Sequence, residues 1–440
     1  MNIRLQNGSR ICIVGGGPSG SFAALHLLKL AREYGLQLEV LIFEPRDAAR
    51  PGRESCKGCA GILSAGLVSS LQSFGITLPP TVIQAELRAY VVHVYGQITS
   101  IEQPDSRRRI LSVYRGTGPR QHAGPSLVGL DGFLLSQACE RGAQLIPHRV
   151  RQVEWDNGPV VHTAFASYRA DLLVLATGVN SKSPLDASFG YQSPATLTMS
   201  QDETWRPSNW PDYKVAGFFG HPPQGLVFGA IIPKGRYLNV SLLGQGRATD
   251  VVPSFYKAQE QSLGRFFPNE PESLCSCTPR IAVRPAKTYF GDRWVAVGDA
   301  GVSRLYKDGI YSAFLTSGTA MRTAIEEGIS KEDFARDYAP FCRRLAGDNA
   351  YGELLLNLSL LAMRNPLIAR ACIECVRSES SLPLSQRIYS RVMWGMLTGD
   401  DSYRELFWLA LKPRGVWSLF GQLIQAVRHR SEKTDSAERL

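Results

Sequence analysis

The feature that most constrains the fold is a glycine-rich turn near the N-terminus, set between an apolar strand pattern and a helical pattern. Residues 10–14 read Arg-Ile-Cys-Ile-Val, residues 15–20 read Gly-Gly-Gly-Pro-Ser-Gly, and residues 21–32 carry apolar side chains at helical spacing. A strand, a Gly-x-Gly-x-x-Gly turn and a helix in this order begin a dinucleotide-binding βαβ unit. The sequence therefore predicts a phosphate site at this turn.

The glycines of this turn have separate tasks. Gly15 permits the tight turn, Gly17 lets the backbone approach a pyrophosphate, and Gly20 lets the helix pack closely on the strand. The N-terminus of a helix presents unpaired N–H groups and the positive end of its dipole, so we expect it to face the phosphates. Ser19, in the same turn, is counted among the predicted cofactor-binding residues.

A carboxylate follows at the end of the next predicted strand. Residues 38–43 are largely apolar and lead to Glu44, which lies 24 positions after Gly20. An acid at this strand end accepts hydrogen bonds from the adenosine ribose hydroxyls of a dinucleotide. Glu44 is therefore predicted to bind the ribose of the cofactor.

Two later segments repeat the design of a buried strand that ends in a glycine turn. Residues 171–181 contain Gly178, and residues 294–300 end in Gly-Asp-Ala. A Lys-Asp-Gly-Ile motif at 307–310 then precedes a helix predicted to continue to about residue 325. In this order after the N-terminal turn, the segments resemble the FAD-binding segments of the p-hydroxybenzoate hydroxylase-like flavoproteins.

That resemblance implies that FAD is the cofactor. It also assigns roles to three residues at matching positions. Asp299 would hydrogen-bond the ribityl chain, and the backbone of Gly309 and Ile310 would lie against the pyrimidine edge of the flavin. Gly178 belongs to the same predicted cofactor site.

Further segments resemble the geranylgeranyl reductase family within that superfamily. The matching segments are residues 59–64 (Cys-Ala-Gly-Ile-Leu-Ser), 131–143, 229–235, 239–244 and 308–313 (Asp-Gly-Ile-Tyr-Ser-Ala). The matches are spread over about residues 10–330. The resemblance implies that Cys59, Ala60 and Gly61 lie close to the flavin.

One strand of the substrate region departs from the family pattern. Where that family often has Tyr-x-Trp-x-Phe-Pro, this chain has Phe228-Gly-Ala230-Ile-Ile232-Pro. Phe228, Ala230 and Ile232 are predicted to contact substrate, although the small Ala230 replaces an aromatic residue. Flavin-dependent halogenases carry Trp-x-Trp-x-Ile-Pro here, and because both Trp residues are absent we do not expect a halogenase.

The resemblance implies an FAD-dependent oxidoreductase that reduces carbon–carbon double bonds in a prenyl or other lipophilic substrate. A hydride from the reduced flavin would reach one alkene carbon, and an acid would protonate the other. Only one dinucleotide fingerprint is present, so no second site for NAD(P)H is expected. The expected electron donor is external, either reduced nicotinamide or a ferredoxin-like protein. Two alternatives stay open: a monooxygenase of the same fold, and a non-enzymatic flavin redox partner.

Cys59 is the predicted catalytic residue, but its sequence context permits three roles. It could donate the proton, with Lys57 favouring the thiolate of a neighbouring cysteine by its charge. It could instead be a small buried hydrophobic residue, as free cysteine often is. It could also form a disulfide with Cys56, because the pair has a Cys-x-x-Cys spacing.

The order of the segments predicts an α/β fold with a discontinuous Rossmann-like FAD-binding domain and an inserted antiparallel β-sheet substrate domain. The FAD-binding domain is predicted from residues 1–84, 125–183 and 285–330. Residues 85–124 and 184–284 form the predicted substrate domain, and residues 331–440 form a C-terminal helical region. The strand pattern at 87–94 is assigned to the substrate sheet.

The C-terminal region combines an apolar helical stripe with positive charge. Residues 416–428 place Val416, Leu419, Phe420, Leu423 and Val427 on one side of a helix. The chain has a formal net charge of +10, and seven Arg or Lys residues lie between 386 and 430 against three acids. The helix could therefore pack on its own domain or lie on an anionic membrane surface.

The remaining composition narrows the classes of function. No uninterrupted apolar run reaches the length of a membrane-spanning helix and no signal-peptide pattern is visible, so we expect a cytoplasmic protein, with peripheral membrane binding as an option. No nucleic-acid-binding motif is present. Nine irregularly spaced cysteines indicate a reducing compartment, and a metal site is not expected.

Overall fold

The structure, a computed structural model, describes residues 3–47, 60–121, 127–219, 226–244 and 246–437. Cys59, together with Cys56 and Lys57, lies outside the described residues. Strands and helices are numbered below in chain order.

A six-stranded sheet forms the centre of the part of the molecule that contains the glycine-rich turn. In spatial order it contains β18 (Phe290–Gly291), β19 (Trp294–Ala296), β12 (Leu172–Leu175), β1 (Arg10–Val14), β2 (Glu39–Phe43) and β8 (Gln144–Ile146). All neighbours pair in parallel except β18 and β19. The inner strands are buried on both faces, which explains why their sequences are continuously apolar.

A seven-stranded sheet forms the second layer. In spatial order it contains β17 (Arg280–Ala282), β13 (Thr196–Trp205), β16 (Tyr237–Gly244), β15 (Leu226–Lys234), β14 (Lys214–Phe219), β5 (Ala89–Val94) and β6 (Gln97–Glu102). The pairing is antiparallel throughout except between β14 and β5, which are parallel.

Two three-stranded antiparallel sheets complete the β-structure of the described residues. One contains β3 (Ile62–Leu63), β7 (Ile110–Val113) and β4 (Ile83–Leu87), and the other contains β11 (Ser167–Arg169), β10 (Pro159–His162) and β9 (Gln152–Trp155). The predicted strand at 87–94 is divided between two sheets. Arg88 separates β4 from β5, and its N–H donates to the carbonyl of Tyr213 at 2.9 Å as the chain crosses to the larger sheet.

The helices pack around these sheets and then form a C-terminal layer. Those of the first three quarters of the chain are α1 (Pro18–Glu33), α2 (Ala65–Ser73), α3 (Leu130–Glu140), α4 (Ala248–Ala258), α5 (Glu260–Leu263) and α6 (Gly309–Glu326). The later ones are α7 (Lys331–Asp333), α8 (Ala339–Met363), α9 (Pro366–Ser378), α10 (Tyr389–Thr398), α11 (Tyr403–Ala410) and α12 (Pro413–Ala437).

Alternate residues of the parallel strands enter two separate cores. Ile11 and Ile13 of β1 pack with α1, α3 and α6, whereas Cys12 and Val14 pack on the opposite face with β9 and β10. A third core lies between the seven-stranded sheet and helices α9 and α10, and it includes Trp394. The seven-stranded sheet is therefore covered on one face by the C-terminal helices.

The predicted fold class is confirmed: a mixed α/β chain with a parallel-strand sheet, an antiparallel sheet and C-terminal helices. The predicted domain boundaries stay a prediction. No helix among the described residues is long and apolar enough to cross a membrane.

Candidate functional site

The glycine-rich turn is held in place by very close backbone contacts. Gly15 has a φ of +110°, and a Cβ there would lie 2.6 Å from the carbonyl oxygen of Ala176. A Cβ on Gly20 would lie 1.8 Å from the carbonyl oxygen of Gly15. Both positions therefore require glycine, the first also because positive φ is costly for other residues. The close packing brings the start of α1 to the ends of β1 and β12.

The N-terminus of α1 is suited to an anionic ligand. Gly17 is the N-cap residue and makes no side-chain capping hydrogen bond, and Pro18 follows at the first helical position. The first N–H groups of a helix need partners from outside the helix. At a turn of this shape a phosphate satisfies them, and the helix dipole favours its negative charge.

A positive side chain stands beside this turn. A Cβ on Gly17 would lie 3.5 Å from Nη2 of Arg115. Arg115 forms a bidentate salt bridge with Asp131, at 3.0 Å from Nε to Oδ1 and 2.9 Å from Nη2 to Oδ2. Asp131 is buried and Arg115 is partly buried. Arg115 was not predicted from the sequence, although its partner Asp131 begins one of the segments that match the resembled family.

Glu44 closes one side of a cavity of about 610 Å³ next to the turn. Its carboxylate is buried and accepts hydrogen bonds from the Gly16 N–H and from Nε of Arg46, both at 3.1 Å. Apolar residues, including Leu127 and Phe133, form much of the remaining wall. Each carboxylate oxygen can accept more than one hydrogen bond, so Glu44 can still accept from a ribose hydroxyl. The cavity is within the size range of ligand sites.

The segment around Asp299 meets the same turn from the other side. Gly298 has a φ of +59°, and a Cβ there would lie 2.0 Å from Oγ of Ser19. A Cβ on Gly309 would lie 3.5 Å from Oδ1 of Asp299. The predicted residues Ser19, Asp299 and Gly309 are therefore brought together, with Ile310 next in the chain at the start of α6.

Burial raises the pKa of Asp299, while a hydrogen bond with Ser303 and the positive charge of Arg115 lower it. Arg115 thus acts electrostatically on Asp299 as well as on Asp131. Gly178, a further predicted cofactor residue, has a φ of +65° and follows β12. A Cβ there would meet no atom within 4 Å, so only its backbone conformation favours glycine.

Gly61 lies against the last residues of β7 and β15. Its φ is +65°, and a Cβ there would lie 2.0 Å from the carbonyl oxygen of Val113 and 3.0 Å from Nζ of Lys234. Lys234 is buried, 3.8 Å from a carboxylate oxygen of Glu203. Ala60, the preceding residue, packs against the apolar core beneath α9 and α10. The adjacent Cys59 lies outside the described residues.

The three predicted substrate residues alternate along β15 and are buried. Ala230 and Ile232 belong to the core that α9 and α10 cover. Phe228 stacks on Phe219, with ring centroids 6.2 Å apart. An apolar wall of aromatic and aliphatic side chains therefore stands at the edge of the segments that the sequence predicts to bind the flavin.

Two charged residues directly before α6 connect the segment around Asp299 with the apolar wall on β15. Neither was assigned to the site from the sequence. Nζ of Lys307 lies 4.9 Å from the centroid of the Phe228 ring, and burial lowers the pKa of Lys307 to about 8. Burial raises the pKa of the next residue, Asp308, to about 7; a hydrogen bond with Ser64 and the charge of Arg304 oppose that rise. Oδ1 of Asp308 is buried without a hydrogen-bond partner in the described structure. In the sequence, the position of Lys307 and Asp308 directly before Gly309 was the one indication that they belong to the site.

Among the described residues, no group of three or more His, Cys, Asp or Glu residues could hold a metal ion. Within the described ranges, the cysteines that stand as free thiols include Cys12, Cys139, Cys277, Cys342, Cys372 and Cys375.

Solved structures of flavin-dependent proteins share this architecture. The chain is similar to a geranylgeranyl bacteriochlorophyll reductase-like protein from Thermoplasma acidophilum, with 17% identity, a TM-score of 0.65, and coverage of 92% of this chain and 100% of that one. It is similar to p-nitrophenol 4-monooxygenase from Pseudomonas putida at 13% identity and a TM-score of 0.58, covering 88% and 97% of the two chains.

A flavin-dependent brominase, Bmp2, is also similar, at 15% identity and a TM-score of 0.54, covering 88% of this chain and 98% of that one. No protein-family model matches the chain, and no curated protein sequence matches it. At these identities the likeness establishes the fold. The chain therefore has the fold shared by FAD-superfamily reductases, monooxygenases and halogenases.

Proposed function

We propose that the protein is an FAD-dependent oxidoreductase that reduces carbon–carbon double bonds in a prenyl or other lipophilic substrate. One observation carries this proposal: Lys307, at the start of α6, touches Phe228 of the apolar wall. The segment that matches the flavin-contacting region of the resembled family thus directly adjoins an apolar surface. A flavin bound there would face a site suited to a lipophilic molecule.

The residues present fit FAD. The close contacts at Gly15 and Gly20 hold the turn tightly against α1, and Arg115 adds positive charge beside Gly17. The residues proposed to bind FAD are Gly15, Gly17, Ser19, Gly20, Glu44, Ala60, Gly61, Arg115, Gly178, Asp299, Gly309 and Ile310. Bound FAD supplies two-electron transfer, a chemistry for which amino-acid side chains are not suited.

The chain itself supplies binding, orientation and a proton. Phe228, Ala230 and Ile232 exclude water from one side of the substrate and hold its apolar body. Asp308, with a pKa of about 7, can hold a proton at neutral pH. Cys59 stays the proposed catalytic acid from the family resemblance, and an external donor, reduced nicotinamide or a ferredoxin-like protein, would supply the electrons.

An FAD-dependent monooxygenase is the second candidate. The similarity to p-nitrophenol 4-monooxygenase, at a TM-score of 0.58, supports it. Oxygen use separates the two activities, because a monooxygenase consumes O₂ for each product and an alkene reductase turns over without O₂. The third candidate, a non-enzymatic flavin redox partner, would show no turnover of any lipophilic substrate.

The experiment begins with mass spectrometry of the lipophilic molecules that co-purify with the protein. Those molecules are then added to the dithionite-reduced protein without O₂, and flavin reoxidation and product mass are followed. A product heavier by two hydrogens supports the proposal. Flavin that reoxidises only after O₂ is admitted, with a product heavier by one oxygen, replaces it with the monooxygenase.

We also propose that a C-terminal surface brings the protein to an anionic membrane. Helix α12 packs against α9, yet an apolar stripe on it stays exposed: Val416, Trp417, Phe420, Ile424 and Val427. This exposed stripe differs in part from the one predicted from the sequence, because Leu419 and Leu423 are half-buried. Exposed Lys412, Arg414 and Arg428 on the same helix or beside it would attract anionic headgroups.

A further inference from the structure

The connection between α10 and α11, residues 399–402, is bonded to the segment that precedes α6. Nη1 of Arg304 donates to the carbonyl of Gly399, and Nη2 donates to the carbonyl of Asp401. The same guanidinium lies over the ring of Tyr403, 4.2 Å from its Cζ to the ring centroid. Arg304 therefore ties the C-terminal region to the chain just before Asp308.

Two further side chains of the C-terminal region bind the same segment. The hydroxyl of Tyr403 donates to the carbonyl of Leu305 at 2.5 Å. Asn349 of α8 donates to the carbonyl of Ser303 at 2.8 Å and accepts from the Leu305 N–H at 2.9 Å. Residues 303–305 are thus held by α8, by α11 and by the α10–α11 connection.

The α10–α11 connection also reaches the start of α2. The carboxylate of Asp400 is fully buried and accepts from the Ala65 N–H at 2.9 Å. Arg108 donates to the backbone carbonyl of Asp400 at 2.7 Å. Ser64, the N-cap residue of α2, is hydrogen-bonded to Asp308. The connection therefore contacts both the start of α2 and the segment before α6, which are themselves joined.

The backbone before α6 needs such support. Tyr306 has a φ of +62° and Asp308 a φ of +61°, a left-handed conformation that is costly for residues other than glycine. Conformations of this kind persist only where the surrounding structure holds them, and they cluster at ligand sites. Gly399 packs directly on this backbone, because a Cβ on it would lie 2.9 Å from the Cβ of Asp308. The contacts of the C-terminal region are therefore suited to holding the segment in place.

We propose that Arg304 is a positioning residue for the flavin, because it holds Asp308 and Gly309 in the conformation in which their backbone can bind the cofactor. The C-terminal region thereby takes part in the cofactor site, although it carries none of the residues proposed to bind FAD. This inference rests on the proposed function for the position of the flavin beside Gly309.

Titration of the deflavinated full-length protein with FAD tests this proposal, together with hydrogen exchange of peptides that cover residues 303–312. Arg304→Gln should raise the Kd for FAD by about tenfold to a hundredfold, the range for lost hydrogen bonds from a charged group. Exchange in these peptides should become faster. Arg304→Lys keeps the charge but not the planar fork that reaches two carbonyls, so it should bind FAD nearly as weakly as Arg304→Gln.

A matched pair of tyrosine variants separates positioning from general stability. Tyr403→Phe keeps the ring but removes the bond to Leu305, and it should raise the Kd for FAD by about threefold to tenfold. Tyr389→Phe removes the same kind of bond elsewhere in the C-terminal region, from the hydroxyl to the Gly415 carbonyl at 3.2 Å. It should lower the melting temperature by a comparable amount but change the Kd by less than about twofold.

Three outcomes would overturn the proposal. Arg304→Gln could unfold more easily yet bind FAD like the wild type, which would make Arg304 a residue of stability alone. Arg304→Lys could restore full affinity, which would show that charge acts rather than positioned contacts. Tyr389→Phe could weaken FAD binding as much as Tyr403→Phe, which would trace the loss to general destabilisation. If Arg304→Gln does not fold, the tyrosine pair decides. Because no readout requires turnover, failure to reduce any double bond would leave these results unchanged.

Discussion

The guanidinium of Arg115 donates to both carboxylate oxygens of Asp131, at 3.0 and 2.9 Å, directly beside Gly17. A side chain at position 17 would therefore meet this ion pair on one side and a bound pyrophosphate on the other. The ion pair and the glycine turn together define the expected phosphate site.

Gly17→Val should abolish FAD retention. The Cβ would lie 3.5 Å from Arg115 Nη2, so the valine methyl groups would project toward the guanidinium and occupy the space of the phosphates. The flavin content of the purified protein, read from its visible absorbance, should fall about tenfold or more. Gly347→Val is the matched control, because a Cβ at Gly347 meets no atom within 4 Å. A yellow Gly17→Val protein with full occupancy would mean that the phosphates bind elsewhere.

Arg115→Gln should lower both stability and FAD affinity. It leaves the buried carboxylate of Asp131 without its ion-pair partner, which costs about 2–4 kcal/mol of unfolding free energy. The double variant Arg115→Gln/Asp131→Asn should recover most of that stability but not the FAD affinity. Chemical denaturation and FAD titration of both variants separate the two effects. Recovery of FAD affinity in the double variant would limit Arg115 to a structural role.

Asp308→Asn should stabilise the protein at high pH. The carboxyl of Asp308 ionises near its ordinary value of 3.8 in the unfolded chain and near 7 in the folded protein. Its ionisation therefore opposes folding progressively as the pH rises from about 4 to 7, and the cost is complete above pH 7. Asn tolerates the left-handed conformation and carries no charge, so we expect a gain of about 1–3 kcal/mol at pH 8 and almost none at pH 4.

Thermal unfolding of Asp308→Asn and the wild type from pH 4 to 9 measures this difference. Asp401→Asn is a useful comparison, because Asp401 lies nearby but pairs with Arg108 at 3.0 Å. A gain that is equal at pH 4 and pH 8 would show that removal of the charge is not the cause. Loss of turnover in the more stable Asp308→Asn variant would indicate that the buried acid is retained for function.

Cys59→Ser distinguishes three roles for the residue. A positioned proton donor predicts normal FAD content with flavin reoxidation by substrate slower by about 10²-fold. A packing role predicts a stability loss of about 1 kcal/mol and unaltered reoxidation. A disulfide predicts that Cys56→Ser and Cys59→Ser are equally damaging. Single-turnover kinetics and melting temperatures of both variants decide among them.

The sequence was sufficient to predict the strand, glycine turn and helix at the N-terminus because local pattern and chain order determine them. The strand at Arg10–Val14 has the predicted bounds, and the helix that follows extends from Pro18 to Glu33. Arg115 and Lys307 were missed for a common reason. Each belongs to the site only through a contact with a distant part of the chain: Arg115 with Gly17, and Lys307 with Phe228. Local sequence periodicity does not indicate such contacts.

For the same reason, the sequence did not predict which apolar residues of the C-terminal helix α12 are exposed. Periodicity places apolar residues on one side of α12, but it does not show which of them face a neighbouring helix. In the structure, Ala426 is buried and Leu419 and Leu423 are half-buried, whereas Trp417 remains 72% exposed. The position of α9 therefore decides which part of the apolar surface is free.

The exposed apolar stripe of α12 predicts that the protein binds anionic membranes. Trp417 and Phe420, which is 55% exposed, should enter the interface of a bilayer, with basic residues of the same region near the headgroups. The wild-type protein should co-sediment with vesicles containing anionic lipid, and less so at high salt because exposed charges are screened. Trp417→Ser/Phe420→Ser should reduce binding about tenfold or more, since two large apolar side chains no longer leave water. Phe165→Ser is the control, because Phe165 is 76% exposed but lies in the turn between β10 and β11, far along the chain from α12. Equal sedimentation of the wild type and the double variant, or no binding by either, would show that the stripe does not bind lipid.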